Sequence, residues 1–342
     1  MDRGVLNAAR WTASGPWSET WFVTAADPGA GLGIWLRYAV DIKPDGLALP
    51  SLWGTYMDGT RAFALRNVYP PAAIRRSDPV AIGAAELTGS GCSGEVEAGG
   101  HALRWRLSFS PGRGPEDAVP AALRPVSVLL GSGLALPHPA MRVTGALEVD
   151  GKLVELVDAP GAQAHIWARQ RLLTYTWARC NAFAEDPGAS IDLTSVRLPG
   201  GVWVPLFTFR FHGEVHRFQD PPWLLFARSA PASPSWHFSA SGARISLDGV
   251  VRGTRAASVL VGYEDARGDL HHCTNTELAS MQVRVRTRAF PGAPWRAEAT
   301  LTSRAACLEF CGPGADARVP NLLSTALARH ELEGRPEAVA AG

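Results

Sequence analysis

Hydrophobic and polar positions alternate with period two over most of the chain, and Gly-containing turns interrupt the alternation at short intervals. Successive side chains of a strand point to opposite faces, so this pattern predicts sequential antiparallel hairpins. The clearest instance is Arg142 to Leu156, where VTGALEV and KLVEL flank Asp150-Gly151. The same grammar predicts turns at His212-Gly213, Ser241-Gly242 and Asp248-Gly249. Strand signals spaced roughly 8–12 residues apart give about twenty strands, too many for one small barrel and suited to two. One stretch reads as helical: Asn321 to Glu333, with Asn321 as N-cap, Leu322, Leu323, Ala326 and Leu327 on one side, and Gly334-Arg335-Pro336 as the stop.

The expected fold is therefore all-β, two antiparallel barrels in tandem followed by a short C-terminal helix. A boundary near residues 185–200 divides the strands most evenly, giving 1–190 and 191–320 as barrels and 321–342 as helix and flexible tail. A length of 342 residues is consistent with two domains, and 46% hydrophobic residues supply a core for each. A net charge of +1 from scattered acids and bases offers no footprint for nucleic acid. No run approaches the ~20 apolar residues of a membrane helix, so no integral membrane segment is expected. The N-terminus lacks the apolar region of a secretory signal, which points to the cytoplasm. Five cysteines, Cys92, Cys180, Cys273, Cys307 and Cys311, do not form a secreted disulfide framework and are expected to be reduced. Oligomeric state is not legible.

Chemistry concentrates in Ala164 to Phe183, AHIWARQRLLTYTWARCNAF. On a strand from Thr174, the residues Tyr175, Trp177, Arg179 and Asn181 share one face. His165 and Trp167 share a face of the preceding strand. On Gly33 to Val40, Trp35 and Arg37 oppose Ile34, Leu36, Tyr38 and Val40. Aromatic rings beside an imidazole, a guanidinium and an amide suit a pocket wall, with apolar area for contact and polar groups for orientation. Two other readings stay open: a core histidine bonded to backbone for His165, and an interface stripe for Tyr175 to Asn181. A second lining is His271, Cys273, Asn275 and Glu277, which share a strand face.

Other chemistries are poorly supported. His271-His272-Cys273 and Cys307…Cys311 lack a matching pair of zinc ligands, and His212 and His216 flank a turn, so no metal is expected. Gly131-Ser132-Gly133 lacks a strand-to-helix setting, no phosphate-binding loop occurs, and Ser90 has no nucleophile elbow. Arg284, Arg286 and Arg288 alternate with Val283, Val285 and Thr287 as a solvated outer face.

The segment carrying His165, Trp167, Trp177, Cys180, Asn181 and Phe183, together with Glu19-Thr20-Trp21-Phe22 and Ile34-Trp35-Leu36-Arg37-Tyr38, resembles the tandem-lipocalin superfamily of hydroxyneurosporene synthase-like, tocopherol cyclase-like and AttH-like proteins. It departs at Ala168, where the pattern has Gly, and at Arg179, where a His precedes Cys-Asn. The resemblance implies two calycin-type barrels, a lipophilic small-molecule ligand in or between them, and no cofactor. The activity it implies is cyclase, hydratase or isomerase chemistry on a terpenoid, carotenoid or polyketide type of substrate. His165, Glu19 and Glu277 are the acid candidates. Trp35, Arg37, Trp167, Tyr175, Trp177, Arg179, Asn181 and Asn275 are the substrate-binding candidates. A non-catalytic carrier of a hydrophobic metabolite would need the same barrel and the same aromatics.

Overall fold

The computed structural model describes residues 3–11, 15–75, 80–117, 119, 124–129, 131–169, 174–198, 200–264 and 270–328. Twelve strands form the first sheet: β1 (Trp17–Asp27), β2 (Leu32–Ile42), β3 (Ala48–Met57), β4 (Ala62–Val68), β5 (Ile74–Arg75), β6 (Val80–Ile82), β7 (Ala85–Leu87), β8 (Gly91–Ala98), β9 (His101–Pro111), β10 (Glu116–Asp117), β11 (Gly133–Val149) and β12 (Lys152–Ala168). The second holds β13 (Tyr175–Cys180), β14 (Ser190–Arg197), β15 (Trp203–Phe211), β16 (Glu214–Arg217), β17 (Arg228–Ala232), β18 (Ser235–Ser241), β19 (Ile245–Arg252), β20 (Val259–Glu264), β21 (Leu270–Thr287) and β22 (Arg296–Cys311). β23 (Asn321–Leu327) joins the two. Short helices α1 (Arg3–Asn7) and α2 (Arg124–Leu129) and 3-10 turns at Pro71–Ala73, Trp223–Phe226 and Gly312–Gly314 complete the described elements.

The fold is the expected tandem pair of lipocalin-like barrels. Pairing passes from one sheet to the other between Ala168 and Tyr175: β12 bonds β1 and β11, whereas β13 bonds β14 and β22. This changeover lies before the 185–200 window. Each barrel is built on one long bulged hairpin, β11–β12 in the first and β21–β22 in the second. Alternation fills each barrel from its inner face. Trp21, Ile34, Leu36, Tyr38 and Trp105 pack inside the first, and Phe207, Phe209, Trp236 and Phe310 inside the second. A side-chain amide helps close the first barrel. Asn67 of β4 donates to Glu97 O of β8 at 2.9 Å and accepts from Glu97 N at 3.0 Å, imitating a strand pair.

The turns at Asp150-Gly151 and His212-Gly213 form as expected, with φ of 51° and 77° at the first and 49° and 82° at the second. Positive φ at both central residues matches the right-handed strand twist. No turn forms at Asp248-Gly249. β19 runs straight through, and the glycine instead makes room for Phe238, whose ring carbon would lie 2.4 Å from a Cβ at position 249.

The expected C-terminal helix is a strand where it is described. Leu322, Leu323, Ala326 and Leu327 have helical spacing, but β23 pairs in parallel with β20 through Asn321 and Leu322 and with β4 from Leu323 to Leu327. Asn321 donates to Ala256 O and Ser258 O instead of capping a helix. Tertiary pairing has overridden local periodicity. The rest of that expected helix and tail, 329–342, lies outside the described residues. The expectation of five reduced thiols is also corrected. Cys273 and Cys311 stand opposite one another across β21–β22 and form a disulfide, while Cys92, Cys180 and Cys307 are free and buried. Their sequence separation of 38 gives no hint of this register. No described helix is long and apolar enough to cross a membrane.

Candidate functional site between the barrels

Strand alternation sends the sequence candidates to two different places. Glu19 and His165 face the inside of the first barrel, both with side chains 0% exposed. The Glu19 carboxylate accepts from Arg10 N at 2.6 Å, Trp11 N at 2.8 Å and Trp17 Nε1 at 3.0 Å. His165 places Nδ1 at 2.6 Å from Leu6 O and Nε2 at 2.8 Å from Glu19 Oε1. A carbonyl only accepts, so Nδ1 carries a proton, and a further proton lies on the line from Nε2 to Glu19. The imidazole stacks on Trp21 at 4.6 Å and tilts against Trp167 at 4.8 Å, with Arg10 over Trp167. Every polar atom of this pair is occupied, and the set ties the N-terminal segment into the barrel mouth.

The outer face of β1 to β4 packs against the outer face of β13, β20, β21 and β22, and most of the other candidates meet there. Phe22, Trp35, Trp53, Met57, Val261 and Tyr263 form a buried apolar layer, with Tyr175 and Trp177 packed at its margin. Rows of paired residues fix the geometry. Phe22, Arg37 and Trp53 are neighbours across β1–β2–β3, and Trp177, Glu309 and Asn275 are neighbours across β13–β22–β21. Arg37 is 2% exposed, donates to Thr20 Oγ1 at 3.0 Å, and lies 4.8 Å from the Trp53 ring and 4.7 Å from the Tyr263 ring. Phe22 meets Trp177 edge to face at 5.9 Å.

Glu277 and Asn275 are the polar centre of this layer, and both are fully buried. Among the described residues, no hydrogen-bond partner is aligned with either Glu277 carboxyl oxygen or with Asn275 Nδ2 and Oδ1. Burial pushes the Glu277 carboxyl up to about 8, and the negative charge of Glu309 adds to the rise. Cys307 and Asn275 lie alongside and oppose it, too weakly to reverse it. Glu277 is thus a neutral acid at pH 7, packed over Gly33 and beside Met57 and Cys307. Burial likewise drives the Cys307 thiol well above its ordinary range, which makes it a poor nucleophile.

Two further candidates act as pins between the barrels. Arg179 donates to Pro139 O of the first barrel and lies 3.5 Å from Asp192. Asn181 donates to Gly161 O at 2.8 Å and borders an open groove of about 940 Å³ that also touches Arg142, Asp158, Phe183 and Met281. The structure therefore gathers Trp35, Arg37, Tyr175, Trp177, Asn275 and Glu277 into one layer and leaves Glu19, His165 and Trp167 in another. Sequence reading missed Trp53, Tyr263 and Glu309. The signal for Glu309 was present: in CLEFC, Cys307, Glu309 and Cys311 alternate with Leu308 and Phe310, placing a carboxyl on the second face of a buried strand.

No protein-family model matches the chain. An uncharacterized protein of Mycobacterium tuberculosis H37Rv is 24% identical over 284 residues, covering 80% of this chain and 83% of that protein. Among solved structures, an AttH-like protein from Nitrosomonas europaea aligns with TM-score 0.54 and 12% identity over 85% of this chain and 91% of its own. CghA aligns with TM-score 0.55 and 11% identity over 91% and 95%. CghA with Sch210972 aligns with TM-score 0.54 and 12% identity over 92% and 97%. At these identities the likeness concerns the fold alone, a tandem pair of lipocalin-like barrels.

Proposed function

We propose that the chain is a cofactor-independent cyclase, hydratase or isomerase of a lipophilic small molecule, with acid catalysis in the layer between the barrels. The observation that carries this reading is Glu277: a neutral carboxyl, fully buried where the two barrels meet, with no aligned hydrogen-bond partner among the described residues. An acid of this kind protonates an alkene or carbonyl carbon skeleton at neutral pH. The cationic charge that develops is stabilised by an aromatic face of the layer such as that of Trp177. Asn275, on the same strand face as Glu277, orients the substrate through its side-chain amide. The solved complex of CghA with the small molecule Sch210972 supports the view that this architecture accommodates such ligands.

The test is incubation with a panel of polyenes, prenylated phenols and polyketides, followed by mass analysis. Isomers of unchanged mass, or products heavier by one water, are expected with the native chain, and Glu277→Gln is expected to lose them at least hundredfold. Tight binding with only unaltered compound recovered would assign the protein to carriage instead. Turnover undiminished in Glu277→Gln would remove Glu277 from the chemistry.

A further inference from the structure

We infer that one end of the molecule docks on an anionic lipid bilayer. The strand ends define this pole. β12 ends at Ala168 close to where β13 begins at Tyr175, β11 begins opposite Trp167, β14 ends at Arg197 opposite Trp203, and Leu270 opens β21. α2 precedes β11, and Gly131 sits against the Arg169 side chain, so helix and strand ends are contiguous. Large apolar side chains stand outward here. Val128 and Leu129 of α2 are 79% and 81% exposed, and Ile166, Leu198, Val202 and Leu270 are exposed too. Isolated exposed hydrophobics are ordinary, but a set gathered at one pole marks a contact surface.

The charge around this set selects the partner. Arg10, Arg124, Arg169 and Arg197 are all exposed at the same pole. Segments 124–134, 165–169, 174–177, 196–204 and 270–272 contain no acidic residue. The nearest described acids are Glu264, opposite Leu270, Asp117 of β10, opposite Ala135, and Asp45, on the turn between β2 and β3; they lie at the edge of this pole, outside the acid-free segments that carry the exposed apolar side chains. Asp265 and Asp269 fall between Glu264 and Leu270 in sequence. Apolar side chains that enter the acyl boundary, ringed by arginines that meet headgroups, match the chemistry of a peripheral anchor on anionic lipid. The inference stands on exposure and charge, apart from any acid chemistry at Glu277.

The experiment is co-sedimentation of the full chain with phosphatidylcholine vesicles containing about 30% phosphatidylglycerol, whose negative surface attracts basic side chains, against pure phosphatidylcholine. Anionic vesicles are expected to retain the protein, and 0.5 M salt to release it. Arg169→Ala and Arg197→Ala should each weaken binding about fivefold. The double variant Val128→Asp, Leu129→Asp should abolish binding while the circular dichroism spectrum stays native. No retention on anionic vesicles, equal retention on neutral ones, or retention unchanged in all these variants would overturn the inference. So would self-association in solution that the double variant dissolves without any vesicle binding, since the pole would then be a protein contact.

Discussion

Gly33 of β2 lies directly beneath Glu277 of β21: a Cβ built on Gly33 would come within 2.7 Å of the Glu277 Cβ and 3.3 Å of Leu278. The two barrels approach backbone to backbone at this point, and the missing side chain is what lets the acid sit so deep. Gly33 has no positive φ, so close approach alone demands the glycine.

Gly33→Ala is therefore expected to destabilise the folded chain by about 1–3 kcal/mol, because the obstructing atom is a Cβ fixed to the backbone and not the far end of a flexible side chain. Gly59→Ala, with nothing within 4 Å of its added carbon, is the control and should be close to neutral. Urea unfolding of both variants decides the matter. A Gly33→Ala protein as stable as the control would mean the barrels separate freely.

The Asn67 amide supplies a second prediction. It holds β4 to β8 by the two bonds to Glu97, in the manner of a ladder rung. Asn67→Ala should cost about 1–3 kcal/mol and speed amide exchange of β8 ahead of β11 and β12, since removing a buried partner costs more than the bond it made. Uniform exchange across the first barrel in the variant would show that closure does not depend on this residue.

Period-two alternation made the barrels legible, because each strand has one filled face and its phase marks which residues fill it. The phase also marked Trp35 with Arg37, Trp177 with Arg179, and Asn275 with Glu277 as neighbours on second faces. What alternation does not encode is which second faces meet. Ala164 and His165 are adjacent in sequence, yet Ala164 lies in the layer between barrels while His165 points inward to Glu19. The same gap hid the Cys273–Cys311 pairing, the parallel docking of β23 and the row from Trp177 through Glu309 to Asn275, all of which depend on register between distant strands.

Glu19 and Glu277 are both sealed carboxyls, and they should respond oppositely to amide substitution. Glu19 Oε1 meets Arg10 N and His165 Nε2, and Oε2 meets Trp11 N and Trp17 Nε1. In Glu19→Gln one oxygen becomes an NH2 group facing donors, and the buried histidine loses its charged partner. The expected cost is about 3–5 kcal/mol, with tryptic cleavage at Arg10 as the segment loosens. Calorimetry and limited proteolysis check both. An unchanged melting temperature would show that the network does not hold the N-terminal segment.

Glu277→Gln is expected to stabilise, and the sign follows from linkage. In the unfolded chain this carboxyl ionises near its ordinary value of 4.5, whereas in the folded chain it holds its proton up to about 8. Between those limits the folded state binds the extra proton, so the folded-to-unfolded ratio contributed by this group falls about tenfold per pH unit as pH rises. Below the lower limit both states are protonated and the contribution is flat; above the upper limit the loss is complete. Replacing the carboxyl by a neutral amide removes the dependence, so the variant gains on the native chain from pH 5 to pH 8 and the gain levels off beyond. If Glu277 acts as the proposed acid, turnover by the native chain falls above about pH 8 as the acid loses its proton. Denaturant midpoints for both proteins across pH 4 to pH 9 read the stability arm without any substrate. Parallel curves would show that Glu277 titrates alike in the folded and unfolded chain and is ionised at pH 7, which would remove it as the proton donor.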